Sequence, residues 1–351
     1  MRTGMARAFM TEAERTDDAE RGGPGRTVRL RLGLLQERGR WSGPGTWRRG
    51  VVLTWSALGL AAALLLHSRV PNAIGNLGSL WETFLPWGGL LIPVLLAGAL
   101  IRRSATALVA LLVPALIWWS LFGGLMSDKS GSGGELTVVT HNVSAANPDP
   151  VAAAGRLAAS GADVLALQEI AGDRVPVYER ELADAFPYHV VIGTVGLWST
   201  SPLDDTRHVD TGIGWKRALR ATVQTRHGDV AVYVAHLPSV RVEFRSGFTA
   251  GQRDEAARLL GQAIVDDPVD EVLLLGDLNG TMNDRALAPV TAQMRSTQGA
   301  AGDGMGFSWP ADFPMARIDQ IMVKNLDPVS SWTLPGTGSD HLPVAASVEV
   351  G

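Results

Sequence analysis

From residue 136 onward, short apolar runs alternate with amphipathic ones. LTVVTHNV (136–143), DVLALQEI (163–170), YHVVIGTVGLWS (188–199), LRATVQT (219–225), DVAVYVAHLP (229–238), EVLLLGDLN (271–279), RIDQIMVK (317–324) and VAASVEV (344–350) are rich in Val, Ile and Leu and bounded by Gly, Pro or Asp. That is the pattern of β-strands. Between them, 150–160, 175–186, 251–267 and 285–294 read as helices, and in the third Ala256, Leu259, Leu260 and Ile264 recur at helical spacing to make one apolar face. Strands interleaved with helices predict an α/β domain whose sheets are covered by helices. The segment is long enough for one such core, and no internal repeat is visible.

The first third of the chain follows another pattern. Runs 51–67, 84–101 and 105–126 carry no charged side chain, and each has the roughly 17 to 22 residues a helix needs to cross a hydrocarbon layer of ~30 Å. Three buried helices of a soluble domain are the alternative, but charge-free runs of this length seldom come in threes in water. A secretory signal fits poorly, because the first run starts after residue 50 and two more follow it. The expected organisation is therefore a disordered, basic cytoplasmic tail over 1–49 and three transmembrane helices within 50–126. A flexible link over 127–135 then leads to the α/β domain over 136–351.

Charge sets the expected orientation. Arg38, Arg40, Arg48 and Arg49 precede the first run and Arg102 and Arg103 join the second to the third, whereas Arg69 and Lys129 stand alone on the other flanks. Positive flanks stay in the cytoplasm, so the chain is expected in the cell membrane, multi-pass, with its N-terminus cytoplasmic and its α/β domain extracytoplasmic. The link SDKSGSGGE has a random-coil reach of only ~15 to 18 Å, which keeps the domain near the bilayer, its expected partner. Residues 1–49 hold eleven Lys or Arg against six Asp or Glu, and 135–351 hold sixteen against twenty-seven, a balance of −11. An acidic domain argues against nucleic acid as partner. The chain has no cysteine, so disulfides, thiolate nucleophiles and thiolate metal sites are excluded and any metal must sit on oxygen or imidazole.

Several strands end in polar residues that packing alone does not call for: Asn142, Glu169, His236, and the pair Asp277 and Asn279. Asp319 interrupts the apolar run RIDQIMV, and Asp340 and His341 precede the last strand. Strand ends of layered α/β domains are where ligands meet the chain. Taken singly, each has a plainer reading: Asn142 a turn residue, Glu169 a solvated strand end, His236 a hydrogen-bonded structural histidine, Asp277 and Asn279 an Asx turn. Asp319 is harder to set aside, since a buried carboxylate needs a partner; Arg317 and His341 are the candidates.

In order along the chain, THN, LQE, AHL, GDLN, RIDQI and SDHLP resemble the motifs of the endonuclease/exonuclease/phosphatase superfamily of metal-dependent phosphoesterases, and GLWSTSPL (196–203) is similar to its strand turn. The resemblance spans 136–348. It implies a four-layer α/β sandwich, two β-sheets flanked by helices, and hydrolysis at phosphorus by an activated water. It also implies roles: Glu169, Asp340 and Asn142 as ligands of Mg²⁺, or Mn²⁺ in its place; Asp277 as the base that orients and deprotonates water; Asn279 as its aligner. His341, kept charged by Asp319, would stabilise the phosphoryl oxygens, and His236 would contact the phosphate or donate a proton to the leaving oxygen. His141, beside the matched Asn142, receives no role.

The layout of basic head, three spans and outer domain resembles the actinobacterial VanJ-type proteins associated with teicoplanin resistance. That resemblance implies a membrane-anchored phosphatase acting on a lipid-linked (pyro)phosphate of cell-wall synthesis, of which undecaprenyl pyrophosphate is one. A polyprenyl diphosphate leaves the bilayer at a cost of about 0.8 kcal/mol per CH₂, so its hydrolase must come to the surface. Arg241 and Arg245, with Arg253, Phe244 and Phe248, form a loop suited to a diphosphate head group beside lipid. A second reading is an extracytoplasmic endonuclease or phosphodiesterase, with Lys216, Arg217 and Arg220 as its basic patch. A third is a non-enzymatic membrane protein that binds a phospholipid or an antibiotic.

Overall fold

The computed structural model describes residues 45–73, 75–239 and 248–351, the side chains of 248–250 excepted. Nearly all of the expected tail, and both Arg241 and Arg245, lie outside the described residues. The apolar runs are helical: α1 (Val51–Leu65), the short α2 (Leu77–Thr83), α3 (Leu91–Arg102) continuing a 3-10 turn at Leu85–Leu90, and α4 (Ala105–Phe122). Among the described residues two helices, Leu85–Arg102 and Ala105–Leu125, are long and apolar enough to cross a membrane. The expectation of three spans meets a shorter first helix: 15 residues at 1.5 Å each give only about 22 Å. Large apolar side chains are left exposed along these helices, Val52 at 78%, Ile101 at 82% and Leu116 at 69%.

Two compact units divide the chain: residues up to Gly59 with Ile92–Val113, and Leu60–Leu91 with Pro114–Gly351. In the first, Ala57, Ala99, Ala107 and Leu111 are buried, with Leu53, Leu95 and Leu108 against them. Small residues at such contacts let helix backbones approach closely.

The second unit contains the sandwich. Its strands are β1 (Leu136–Asn142), β2 (Val164–Gln168), β3 (Tyr188–Ile192), β4 (Val195–Ser199), β5 (Leu203–His208), β6 (Ala218–Thr225), β7 (Gly228–His236), β8 (Val272–Asp277), β9 (Arg295–Ser296), β10 (Asp319–Lys324), β11 (Asp327–Thr333) and β12 (Val344–Glu349). They form two six-stranded mixed sheets in the orders β11-β12-β1-β2-β4-β3 and β5-β6-β7-β8-β10-β9. The helices are α5 (Pro150–Ala158), α6 (Val175–Leu182), α7 (Phe248–Val265), α8 (Ala288–Thr291) and α9 (Thr297–Ala301). The expected layers of helix, sheet, sheet and helix are present.

Alternation explains why the central strands read as continuous apolar runs. In β8, Leu273 and Leu275 enter the core between the sheets, while Val272 and Leu274 pack against α7 residues Ala256, Leu260 and Ile264. β7 does the same with Val230, Val232 and Val234 inward and Ala231, Tyr233 and Ala235 toward α7. A strand covered on both faces has no side that needs to be polar. Asp149 starts α5 by accepting from Ala152 N, and Leu157 of that helix meets Val139, Leu165 and Trp198 on the outer face of the first sheet.

Parallel pairing of β7 with β8 sets Ala235 beside Gly276 and His236 beside Asp277. Gly276 has φ +151°, and a Cβ there would lie 1.9 Å from the Ala235 carbonyl oxygen. Only glycine lets the two strand ends approach this closely. Gly276→Ala is expected to cost about 3 kcal/mol or more, from overpacking plus backbone strain, and to lower the melting temperature by roughly 6 to 12 °C. Calorimetry on purified protein decides this; a shift under 2 °C (~0.5 kcal/mol) would contradict the packing described.

Residues 127–135, expected as a free link, carry backbone bonds to the sandwich. Gly131 N donates to Val329 O at 2.6 Å, Lys129 N to Gly302 O at 3.3 Å and Glu135 N to Val348 O at 2.9 Å. The segment from Ser68 to Leu90 is tied down as well. Trp87 Nε1 donates to Met315 O at 2.7 Å and its ring stacks on Phe307 at 5.8 Å. Arg285 donates to the carbonyls of Ser68 and Val70, each at 2.5 Å, and Thr281 Oγ1 to Glu82 O at 3.1 Å.

Candidate active site

Strand ends converge where the sequence places its polar residues. β8 pairs antiparallel with β10, which sets Asp277 opposite Asp319. β1 pairs parallel with β2, which sets Asn142 opposite Gln168, just before Glu169. Glu169, Asp277, Asn279, Asp340 and His341 line one cavity of about 320 Å³. Asn142, His236 and Asp319 are not among its lining residues but touch those that are. Thus eight of the ten expected site residues come together, and Arg241 and Arg245 are the two that lie outside the described residues.

Asp277 is the hub. Its Oδ1 accepts from Asn279 N at 2.9 Å and its Oδ2 from Asn142 Nδ2 at 3.0 Å. The same Oδ2 stands 3.7 Å from His236 Nε2 and 3.9 Å from His341 Nε2. Burial, together with the charge of Asp319, raises the Asp277 carboxyl to about 7, although His341 and the two hydrogen bonds pull the other way. A carboxylate poised near neutrality suits a group that takes and releases a proton.

The two histidines are opposites. His341 Nδ1 lies 2.9 Å from Asp319 Oδ2, which also accepts from Ser308 Oγ at 2.6 Å. Burial alone would discharge this ring, but Asp319, with Asp277 and Asp340, overrides it and raises His341 to about 9. It is an imidazolium at neutral pH. His236 is driven well below its ordinary value, first by burial and then by Arg217 and His341. Arg217 Nη2 sits 2.5 Å from both ring nitrogens of His236, and a guanidinium can only donate, so a second positive charge on the ring is disfavoured. His236 is neutral, with one N–H left.

Glu169 and Asn279 have positive φ, +58° and +47°. Such backbone costs a non-glycine residue on the order of 1 kcal/mol or more and tends to persist where function requires it. Glu169 is half-buried, its Oε1 3.5 Å from His236 Nε2. Asn279 Nδ2 donates to Leu237 O at 2.9 Å. Its Oδ1 is left without a protein donor among the described residues.

For a divalent cation the donor chemistry fits. Glu169 and Asp340 bring two carboxylates to the same cavity, and oxygen-only donors suit Mg²⁺, which keeps several waters. Asn142 is engaged on both atoms, its Oδ1 accepting from Ser144 N at 3.0 Å. Asp277, Asp319 and His341 also offer three ligand atoms within 4.8 Å of one another, but His341 Nδ1 is already bonded to Asp319. That trio is an ion-pair chain first.

Several contributors were hidden in the sequence. Arg217, expected on a surface patch, instead meets His236, and Arg220 is buried on Asp267 at 3.0 Å, so no exposed patch forms from the two. Arg253, expected in a phosphate-binding loop, belongs to α7 and is buried: it bonds Asp284 at 2.7 Å, Asn279 O at 2.9 Å and Ser79 Oγ at 3.1 Å. Ser308 holds Asp319 without any motif to announce it. His141 is buried, bonds Thr337 Oγ1 at 2.6 Å and is lowered to about 3 by burial, which makes it structural. Least foreseeable among the cavity's lining residues are Ser79, Leu80 and Thr83, which lie between the first two apolar runs, and Phe84, which opens the second.

Comparison with known proteins follows the same lines. A family model described as the endonuclease/exonuclease/phosphatase family matches residues 139–341. Among solved structures, a protein of unknown function from Enterococcus faecalis is 16% identical and superposes with a TM-score of 0.52 over 62% of this chain and 100% of its own. Humanized D. rerio TDP2 is 18% identical, with a TM-score of 0.51 over 61% of this chain and 99% of its own. A mannosyl-6-phosphatase from Bacteroides thetaiotaomicron is 15% identical, with a TM-score of 0.50 over 62% of this chain and 100% of its own. At these identities the likeness is one of fold. A search of curated protein sequences finds no match. The matched segment takes in every converging strand end, and the chain belongs to the endonuclease/exonuclease/phosphatase family.

Proposed function

We propose that the protein is a membrane-anchored, metal-dependent phosphatase of the VanJ type. It hydrolyses a lipid-linked phosphate or pyrophosphate of cell-wall synthesis, such as undecaprenyl pyrophosphate, on the extracytoplasmic side, and thereby contributes to glycopeptide (teicoplanin) resistance. One observation carries the reading: the cavity that holds Asp277 and His341 is also lined by Leu80, Thr83 and Phe84, from the connection between two apolar helices. A soluble ester needs no such lining, whereas a substrate held in a bilayer must be met beside it. A phosphatase of the same fold, the mannosyl-6-phosphatase, is consistent with monoester or anhydride chemistry on this scaffold.

Asp277 takes the proton of the attacking water, and the Asn279 Oδ1 is placed to align that water. His341, charged through Asp319, faces the negative charge that gathers on the phosphoryl oxygens, an interaction worth most in a dry, preorganised site. Neutral His236 offers its remaining N–H to a phosphate oxygen. Glu169 and Asp340, with Asn142 close by, would hold Mg²⁺; when bound, the cation supplies charge neutralisation at the phosphate. Arg241 and Arg245 are proposed to meet the head group. The N-terminus is cytoplasmic in this reading, with three spans.

Full-length protein in detergent with Mg²⁺ should release phosphate from undecaprenyl pyrophosphate, and Asp277→Ala and His341→Ala should abolish release. Duplex DNA and a phosphodiester dye serve as the competing substrates. Cleavage of DNA without turnover of the lipid would replace this reading with the nuclease one.

A further inference from the structure

Beside the catalytic cavity lies a second, larger one of about 530 Å³, within the size range of ligand pockets, whose lining residues all belong to the larger unit. Leu121 and Phe122 from the end of α4, and Leu125 just after it, line it together with Met282, Met294 and Met305 of the larger unit. Methionine is the side chain that adapts to irregular apolar shapes. Thr83 lines both cavities. Three cations border the second, each with a protein acceptor, although Arg317 Nε is buried without one; Arg295 Nη2 donates to Asp327 Oδ1 at 2.7 Å. Lys129 Nζ donates to Gly124 O at 2.7 Å and also to Gly299 O; Arg317 Nη1 donates to Gly306 O at 2.9 Å and Gln298 Oε1 at 3.1 Å.

We propose that this cavity holds the hydrocarbon chain of the substrate while its phosphate occupies the catalytic cavity, with Thr83 at the divide. The inference rests on the lipid-phosphatase reading and adds a specificity site to it. Two features point to a chain rather than a head group: the methionine lining and the border with a helix long and apolar enough to lie in a membrane. The shared Thr83 makes it the chain of the reacting molecule. Each methylene moved from water to such a cavity tightens binding about fourfold, so a few suffice to select long-chain phosphates over short ones.

The test uses the full chain with Asp277→Asn, which binds without turnover, and a long-chain prenyl phosphate bearing a diazirine on its chain. Light should attach the probe to residues 282–305 and 121–125. Met305→Trp and Leu125→Trp, which fill the cavity from half-buried positions, should each cut that labelling at least tenfold, and a neutral long-chain prenol should compete for it. Labelling unchanged by either tryptophan, or competed only by glycerol phosphate, overturns the chain site. With Asp277 intact, the same substitutions should raise KM for a long-chain diphosphate by about 10- to 100-fold and leave isopentenyl diphosphate within twofold, a control that the fold survives. If the probe labels the cavity but no lipid phosphate is turned over, the phosphatase reading fails and the chain site stands.

Discussion

Asp277→Asn is expected to lower kcat by about 10²- to 10⁴-fold, the usual contribution of a positioned base, with little change in KM. The substitution keeps an acceptor for Asn279 N and removes the group that takes the proton, along with the oxygen that accepts from Asn142 Nδ2. Stability should move the other way. Burial raises this carboxyl from 3.8 to about 7, so the folded metal-free protein is stabilised below 3.8 relative to higher pH and loses that advantage as pH rises through 7. Asparagine has no charge to bury. The variant should melt above the parent at pH 8 and level with it near pH 4. Steady-state kinetics with Mg²⁺ and calorimetry at the two pH values check both halves; activity within tenfold of the parent would remove Asp277 from the chemistry.

Asp319→Asn should be as damaging through a partner. Asp319 Oδ2 is 2.9 Å from His341 Nδ1 and fully buried, and breaking a buried ion pair costs about 3–5 kcal/mol. Burial then acts on His341 with its main counter-charge gone, so the imidazole falls from about 9 and is largely neutral at pH 8. Loss of a preorganised charge at the phosphoryl oxygens should lower kcat by about 10²- to 10³-fold. NMR titration of the histidine ring separates this from a merely structural defect. A ring still charged at pH 8 in a folded variant would mean that Asp319 does not set its state.

Legibility of the fold tracked burial. β7 and β8 were evident because helices and the opposite sheet cover both faces, leaving an unbroken apolar run. β5, LDDTRH, and β11, DPVSSWT, were not expected: they are outer strands of their sheets, and solvent lets an edge strand be polar. The run 188–199 read as one strand and is two, turned at Gly193 with φ +66°. At the site, Asp277, His341 and Asp319 stood out because a polar residue inside or at the end of an apolar run needs a reason. Arg217 and Arg253 did not, since a charge in a polar neighbourhood looks solvated until pairing places it. Arg217 reaches His236 only because β6 and β7 set Ala218 against Ala235. LGSLWET carries no motif, and nothing along the chain brings Leu80 and Thr83 to Asp277.

That last placement bears on how the protein can be handled. A secreted fragment cut at Leu136 would keep every group proposed to meet the phosphate yet forfeit Ser79, Leu80, Thr83 and Phe84, which line the cavity. It would also bare Phe307, on which Trp87 stacks, and strand the Arg253 and Arg285 donors that Ser79, Ser68 and Val70 satisfy. Such a truncation is expected to aggregate, or to hydrolyse small esters indiscriminately. On the proposed reading, the segment before the sandwich is also part of the enzyme's selectivity.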